Sequence, residues 1–306
     1  MPELPDVELY LSALQPRIVG RRLERVRLFS PFVLRSFDPP LSAVSGERVN
    51  GLRRLGKRIV LELGGDLFLV IHLMIAGRFQ WFEPPPKPGT KPGGRIALAA
   101  FDFEHATLGF TEASKKKRAS LYVVRGEAAL AEHDPGGLDP LNLDLAAFRT
   151  ALTRENHTVK RTLTDPRVFS GIGNAYSDEI LHRARISPLK WTTRLEADEL
   201  VRLHAATGSV LREWVERLRA ETGDAFPTKV TAFRPEMAVH GKYRQPCPVC
   251  GAPVQRIVYA ENEANYCARC QTGGKVLADR SLSQLLKDDW PRTLEDWEAM
   301  RKPRAE

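Results

Sequence analysis

Apolar positions change their rhythm twice along this chain. Leu4, Val7, Leu11, Leu14 and Ile18 recur at helical spacing, Pro5 suits a first-turn position and Gly20 a stop, so residues 5–19 read as a helix. From Leu23 to Arg125 the pattern shortens to strands. RLERVRLF, RIVLEL, DLFLVIHLM, RIALAAFDF and ASLYVV are rich in Val, Ile and Phe and are broken by Gly or Asp. A Pro/Gly-rich stretch at 83–94 reads as a mobile connection between two of them. After HDPGGLDPLN (133–142) a 3.6-residue period returns in LDLAAFRTAL, around NAYSDEILHRA, and in ADELVRLHAATGSVLREWVERLRA. A short cysteine-bearing unit and a polar tail from about Ser281 complete the order. This predicts an α+β chain of two lobes with a cleft between them: 1–135 mostly strands, 136–240 helical, 241–280 a small metal unit and 281–306 a tail.

At 306 residues with 42% hydrophobic and 27% charged positions, composition excludes wholesale disorder and makes two domains more natural than one. No apolar run approaches the roughly 20 residues of a membrane span, and MPELPDVELY lacks the basic and apolar regions of a secretory signal. The expectation is a cytoplasmic monomer, on the nucleoid if the source is bacterial. The net charge of +8 divides evenly, +4 in residues 1–150 and +4 in 151–306, which suits a polyanion bound along both halves but does not require one.

All four cysteines fall in one pattern, Cys247-Pro-Val-Cys250, sixteen residues, then Cys267-Ala-Arg-Cys270. Two such knuckles place four thiolates around one structural tetrahedral Zn²⁺, and the interval has room for a two-stranded hairpin. Two disulfides are the alternative, disfavoured in a reducing compartment. At the other end, removal of Met1 would leave Pro2 as a secondary amine beside Glu3. Such an amine attacks an aldehyde carbon to give an iminium ion, and its pKa lies far below that of a lysine.

MPELPDVELY, GKR at 56–58, LTDPRVFSGIGNAYSDEIL and the closing CPVC…CARCQ, in this order, resemble the formamidopyrimidine-DNA glycosylase and endonuclease VIII family to about Leu277. The resemblance implies an N-terminal two-layer β-sandwich with a leading helix, then a helix–two-turn–helix domain and a C-terminal zinc-finger hairpin. It implies a base-excision-repair glycosylase with abasic-site lyase activity: Pro2 the nucleophile at C1′, Glu3 the acid/base partner, and Lys57 beside the DNA phosphate. In the helical half it implies DNA contacts from Lys160 and from Gly171, Gly173 and Asn174, where backbone amides at a helix start suit a phosphate oxygen.

Three stretches depart from the family pattern. The zinc hairpin's usual arginine is replaced by Asn262 between Glu261 and Glu263, leaving Arg256, farther back, as the available cation. The residues that fill the gap left by an extruded base map onto HLMIAG (72–77), with Met74 or Ile75, and onto EASKKKRAS (112–120). There Lys115, Lys116, Lys117 and Arg118 offer charge without an aromatic, which suits phosphate, including single-stranded or distorted DNA, more than stacking. Residues 222–243 match no base-capping loop, so the damaged base is not carried over. A DNA-binding protein that kept the scaffold but is non-catalytic, or a lyase only, is the competing class. Asn262 and the KKKR run favour it, and the intact Pro2–Glu3–Lys57 set opposes it.

Overall fold

The computed structural model describes residues 1–87, 89–259, 262–278, 286 and 290–301. The chain divides into two compact units, one of Met1–Gly137 with Glu213–Ala232, the other of Leu138–Arg212 with Phe233–Glu306.

The first unit opens with α1 (Leu4–Ile18), whose first turn holds Pro5 and whose end passes into Gly20 at φ +81°. Eight strands follow among the described residues: β1 (Leu23–Leu28), β2 (Val49–Leu55), β3 (Arg58–Leu63), β4 (Leu67–His72), β5 (Gly77–Phe82), β6 (Ala97–Phe103), β7 (Thr107–Glu112) and β8 (Ser120–Arg125). They form two antiparallel sheets, β1-β6-β7-β5 and β2-β3-β4-β8, the two layers of a sandwich. The five apolar segments legible in the sequence are β1, β3, β4, β6 and β8.

Strand β3 shows why RIVLEL is apolar at consecutive positions. Ile59, Leu61 and Leu63 alternate with Val60, and Val60 joins a second cluster with Phe68, Val70, Val124 and Leu130. Leu130 comes from α2 (Glu127–Ala131), so this sheet is covered on both faces. Helix α1 packs on β2 and β3. Tyr10 on α1 meets the Phe79 ring edge-on at 5.3 Å, and its hydroxyl accepts the Phe79 N–H.

The second unit contains α3 (Leu145–Thr153), α4 (Val159–Thr164), α5 (Asn174–Ala184) and the start of α6 (Ala197–Thr222). The hairpin of β9 (Val254–Tyr259) and β10 (Asn262–Cys267) and the short α7 (Ala268–Thr272) follow. Glu179 on α5 accepts the backbone N–H groups of Ala238, Val239 and His240, which ties the 233–243 segment to that helix. Part of the polar tail returns to this unit: Leu294, at the start of α8 (Leu294–Arg301), is buried with Val254, Ile257 and Tyr266. Glu261 and the side chain of Asn262 lie outside the described residues, as do 281–285, 287–289 and 302–306 of the tail. Among the described residues no helix is long and apolar enough to cross a membrane.

Candidate active site and nucleic-acid contacts

Strand register gathers the candidates of the first unit at one end of the sandwich. Arg58 on β3 pairs with His72 on β4, and His72 with Ser120 on β8. In the other sheet Gly77 on β5 pairs with Glu112 on β7. The Gly56-Lys57 turn, the 73–76 turn and the 113–119 loop therefore leave the strands at the same end. Leu55 pairs with Arg58, so Gly56 and Lys57 form a two-residue hairpin turn, with Gly56 at φ +63°.

The amino terminus meets Lys57 there. Pro2, Glu3 and Asp6 are buried, and Glu3 is the N-cap of α1, its backbone N–H donating to Asp6 Oδ2 at 3.0 Å. The amine of Met1 is drawn below 8.0, first by burial, then with Glu3 opposing and Arg78 and Lys57 adding to the fall. Lys57 is likewise drawn below an ordinary lysine by desolvation, against the pull of Glu3. Two amines and one carboxylate thus share a poorly hydrated site at a helix N-terminus, where the macrodipole further disfavours ammonium charge.

His72 completes this end of the sheet and was not legible as a site residue. Burial, Arg58 and Lys57 push its pKa down to about 4, so it is neutral near pH 7, with Nδ1 against the Met74 sulfur. Met74 takes φ +52°, while Ile75 stands 58% exposed at the turn. The depressed value has a consequence for stability. An unfolded histidine takes up its proton near pH 6.5 and His72 only near 4, so stability is lost as pH falls through that window. Between pH 7 and pH 5 His72 is expected to cost about 2 kcal/mol, and His72→Gln to remove that increment from urea unfolding curves measured in zinc-containing buffer.

Lys115, Lys116, Lys117 and Arg118 are exposed, but their loop is anchored. The buried Glu112 carboxylate accepts the N–H groups of Arg118 (3.0 Å) and Ala119 (3.2 Å), and the Lys117 ammonium donates to the Glu112 carbonyl.

In the second unit Gly171, buried and at φ +84°, and the N-cap Gly173 lead into α5. Asn174 is its first residue and is half-buried. Lys160 on α4 reaches the same turn, donating to the Asn174 carbonyl (3.2 Å), Ser177 Oγ (2.9 Å) and Asp178 Oδ1 (2.5 Å). Arg256 lies over the Tyr243 ring at 4.4 Å and 3.5 Å from Glu263.

The Sγ atoms of Cys247, Cys250, Cys267 and Cys270 all lie within 4.8 Å of one another, with 3.4 Å between Cys250 and Cys267 and 4.0 Å between Cys247 and Cys270. Four sulfurs about 2.3 Å from one tetrahedral ion stand about 3.8 Å apart, so the set fits Zn²⁺. Burial pushes the Cys267 thiol up and Cys270 to about 11, while hydrogen bonds from the Ala252 backbone and the neighbouring sulfurs draw Cys250 down against its burial; a cation among the four sulfurs favours the thiolate form of each. Neutral His182 on α5, its pKa pushed to about 4 by burial, sets Nε2 3.3 Å from Cys247 Sγ.

Three family models match in order: the formamidopyrimidine-DNA glycosylase N-terminal domain over residues 1–119, its H2TH domain over 137–224, and the zinc finger found in FPG and IleRS over 244–273. The formamidopyrimidine-DNA glycosylase of Heliobacterium modesticaldum is 32% identical over 283 residues, covering 89% of this chain and all of that protein. The chain belongs to the formamidopyrimidine-DNA glycosylase family. It is by that membership a DNA repair glycosylase with one structural zinc. An uncharacterized formamidopyrimidine-DNA glycosylase-like protein of Mycobacterium tuberculosis is 42% identical over 153 residues, half of this chain and 93% of that one. In fold the chain is similar to the Lactococcus lactis Fpg in complex with DNA containing an abasic site. The TM-score is 0.77 at 25% identity, covering 88% of this chain and 99% of that one.

Proposed function

We propose that this glycosylase binds damaged DNA and couples base removal to cleavage of the abasic site through Pro2. The observation that carries the reading is the buried meeting of the amino terminus, Glu3 and Lys57, where desolvation disfavours ammonium charge on both the Met1 amine and Lys57.

With Met1 removed, the Pro2 nitrogen gives its lone pair to C1′ of the damaged nucleotide as the bond to the base breaks, and the base leaves with a proton taken from solvent. The Glu3 carboxylate takes the N–H proton of the resulting ammonium adduct and delivers it to O4′ as the C1′–O4′ bond opens, which leaves an iminium ion. The C2′ proton then passes to a base, Glu3 or water, as its bonding electrons move toward the iminium and the 3′ phosphate departs, and addition of water at C1′ releases the amine. Lys57 sits against the phosphate. Lys160, the Gly171–Asn174 turn, Lys115–Arg118 and Arg256 supply further backbone contacts, and Met74 or Ile75 enters the gap left by the base.

Borohydride trapping on abasic-site DNA tests this. A covalent adduct mapped to residue 2 is expected, with a rate near pH 7 higher than a lysine nucleophile would allow, because an α-amino group titrates well below a lysine side chain. Absence of an adduct on single-stranded, duplex and bubble DNA, or an adduct mapped to a lysine, would overturn it.

A further inference from the structure

Buried Asp178 binds three side chains from three parts of the chain. It is 0% exposed on α5. Its Oδ1 accepts from Lys160 of α4, and its Oδ2 accepts from His240 Nδ1 (2.8 Å) and Asn265 Nδ2 (3.2 Å) of β10. Asn265 also donates to Glu263 Oε1 at 3.1 Å, and Glu263 pairs with Arg256. Arg256 and Asn265 are cross-strand partners, so their side chains share one face of the hairpin. The His240 ring is fixed in turn by Phe233, stacked at 5.5 Å and 22°.

All three donors of the Lys160 ammonium have acceptors, and the longest contact, to the Asn174 carbonyl, lies at the helix start where a phosphate would arrive. An unanchored lysine must order a long, flexible stem to make a phosphate contact, and this one is ordered in advance.

We infer that Asp178, held by His240 and Asn265, is a positioning residue that fixes Lys160 for a DNA phosphate, and that the zinc hairpin contributes to DNA binding through this relay. The inference rests on the reading of Lys160 and Asn174 as a phosphate grip. On binding, the phosphate replaces the Asn174 carbonyl while Asp178 and Ser177 keep their bonds to the ammonium.

The test is affinity for a duplex carrying a tetrahydrofuran abasic analogue, measured across a salt series. Lys160→Ala should weaken binding about tenfold and lower the salt slope by about one. Asp178→Asn deletes a negative charge, so charge arithmetic alone predicts tighter binding; positioning predicts a loss close to that of Lys160→Ala, with the same fall in slope. In the double variant the losses should not add. His240→Phe, which keeps the ring stack and removes the donor, should behave like Asp178→Asn, and His240→Asn should restore binding. If Asp178→Asn fails to fold, the two His240 variants decide. An unchanged affinity and slope for Lys160→Ala would remove the phosphate-grip reading. A loss with Lys160→Ala, combined with additive losses or with no effect of Asp178→Asn and His240→Phe, would overturn the relay alone.

Discussion

Glu3→Gln is expected to slow base removal by roughly 10²–10⁴-fold while the same protein still forms a borohydride-trappable adduct on a preformed abasic site. The asymmetry follows from what each step asks of residue 3. Base removal and ring opening need a proton moved, and an amide of the same shape cannot move one. An abasic site already presents an aldehyde in equilibrium, so imine formation needs mainly a neutral amine. A carboxylate beside an amine favours its ammonium form, as Glu3 does for the amine of Met1 against the burial that lowers it. At residue 2 its removal is therefore expected to enlarge the neutral fraction near pH 7, and trapping should persist or quicken there. Parallel loss of both steps would make Glu3 a structural cap of α1, and unchanged base removal would move the proton transfer elsewhere. Single-turnover kinetics on a damaged-base duplex, beside trapping on an abasic duplex, separates these outcomes.

How much of this was legible before the fold depends on where each residue finds its partners. The zinc set was readable from the sequence, because C-x-x-C repeated at a hairpin's distance is a local pattern that favours a tetrahedral metal over two disulfides in a reducing compartment. Strands β3, β4, β6 and β8 announced themselves by apolar continuity, since both faces of their sheets are largely covered. Strands β2, β5 and β7 were not singled out. VNGLRRL carries two arginines, GRFQWF and TLGFTE open on or contain glycine, and their places are set by cross-strand partners rather than by their own composition.

The catalytic candidates are a different case. Nothing local links Pro2 to Lys57; the resemblance linked them, and the packing of α1 on β2 and β3 gives the link a physical form. His72 and Asp178 carried no signal, since a histidine ending a strand or an aspartate within a helix is ordinary. Their character comes from burial, then Arg58 and Lys57, in one case, and from Lys160, His240 and Asn265 in the other. Asp178 lies one helical turn beyond Asn174, so the helical period already placed the two on one face. Only the fold adds the lysine and the two donors.

Removing zinc should have the second large effect, and it should fall on one unit. The core around the cysteines is small, with Val239, Ala252, Val254, Ile257, Tyr266, Ala268 and Leu294 packed about Cys247 and Cys267. A core of that size does not hold a fold alone, whereas thiolate coordination of zinc supplies apparent binding energies of about 10–16 kcal/mol at pH 7. Chelation, or Cys267→Ser, should therefore release one zinc per chain and expose residues 244–273 to rapid amide exchange. With β10 unfolded, Asn265 no longer reaches Asp178. The tie from His182 to Cys247 is lost as well, so α5 loses support both at Asp178, one turn from its start, and in its last turn. DNA affinity should fall by more than about tenfold, beyond the loss from Arg256→Ala alone, because the grip at Lys160 loosens along with the hairpin. The sandwich has its own core from Leu4, Ile59, Leu61, Ile71, Phe101 and Phe110, and should keep its exchange protection. Chelated protein that binds DNA with unchanged affinity would show that the phosphate-contacting turn stands without the hairpin; a loss matching Arg256→Ala would confine the hairpin's role to that one side chain.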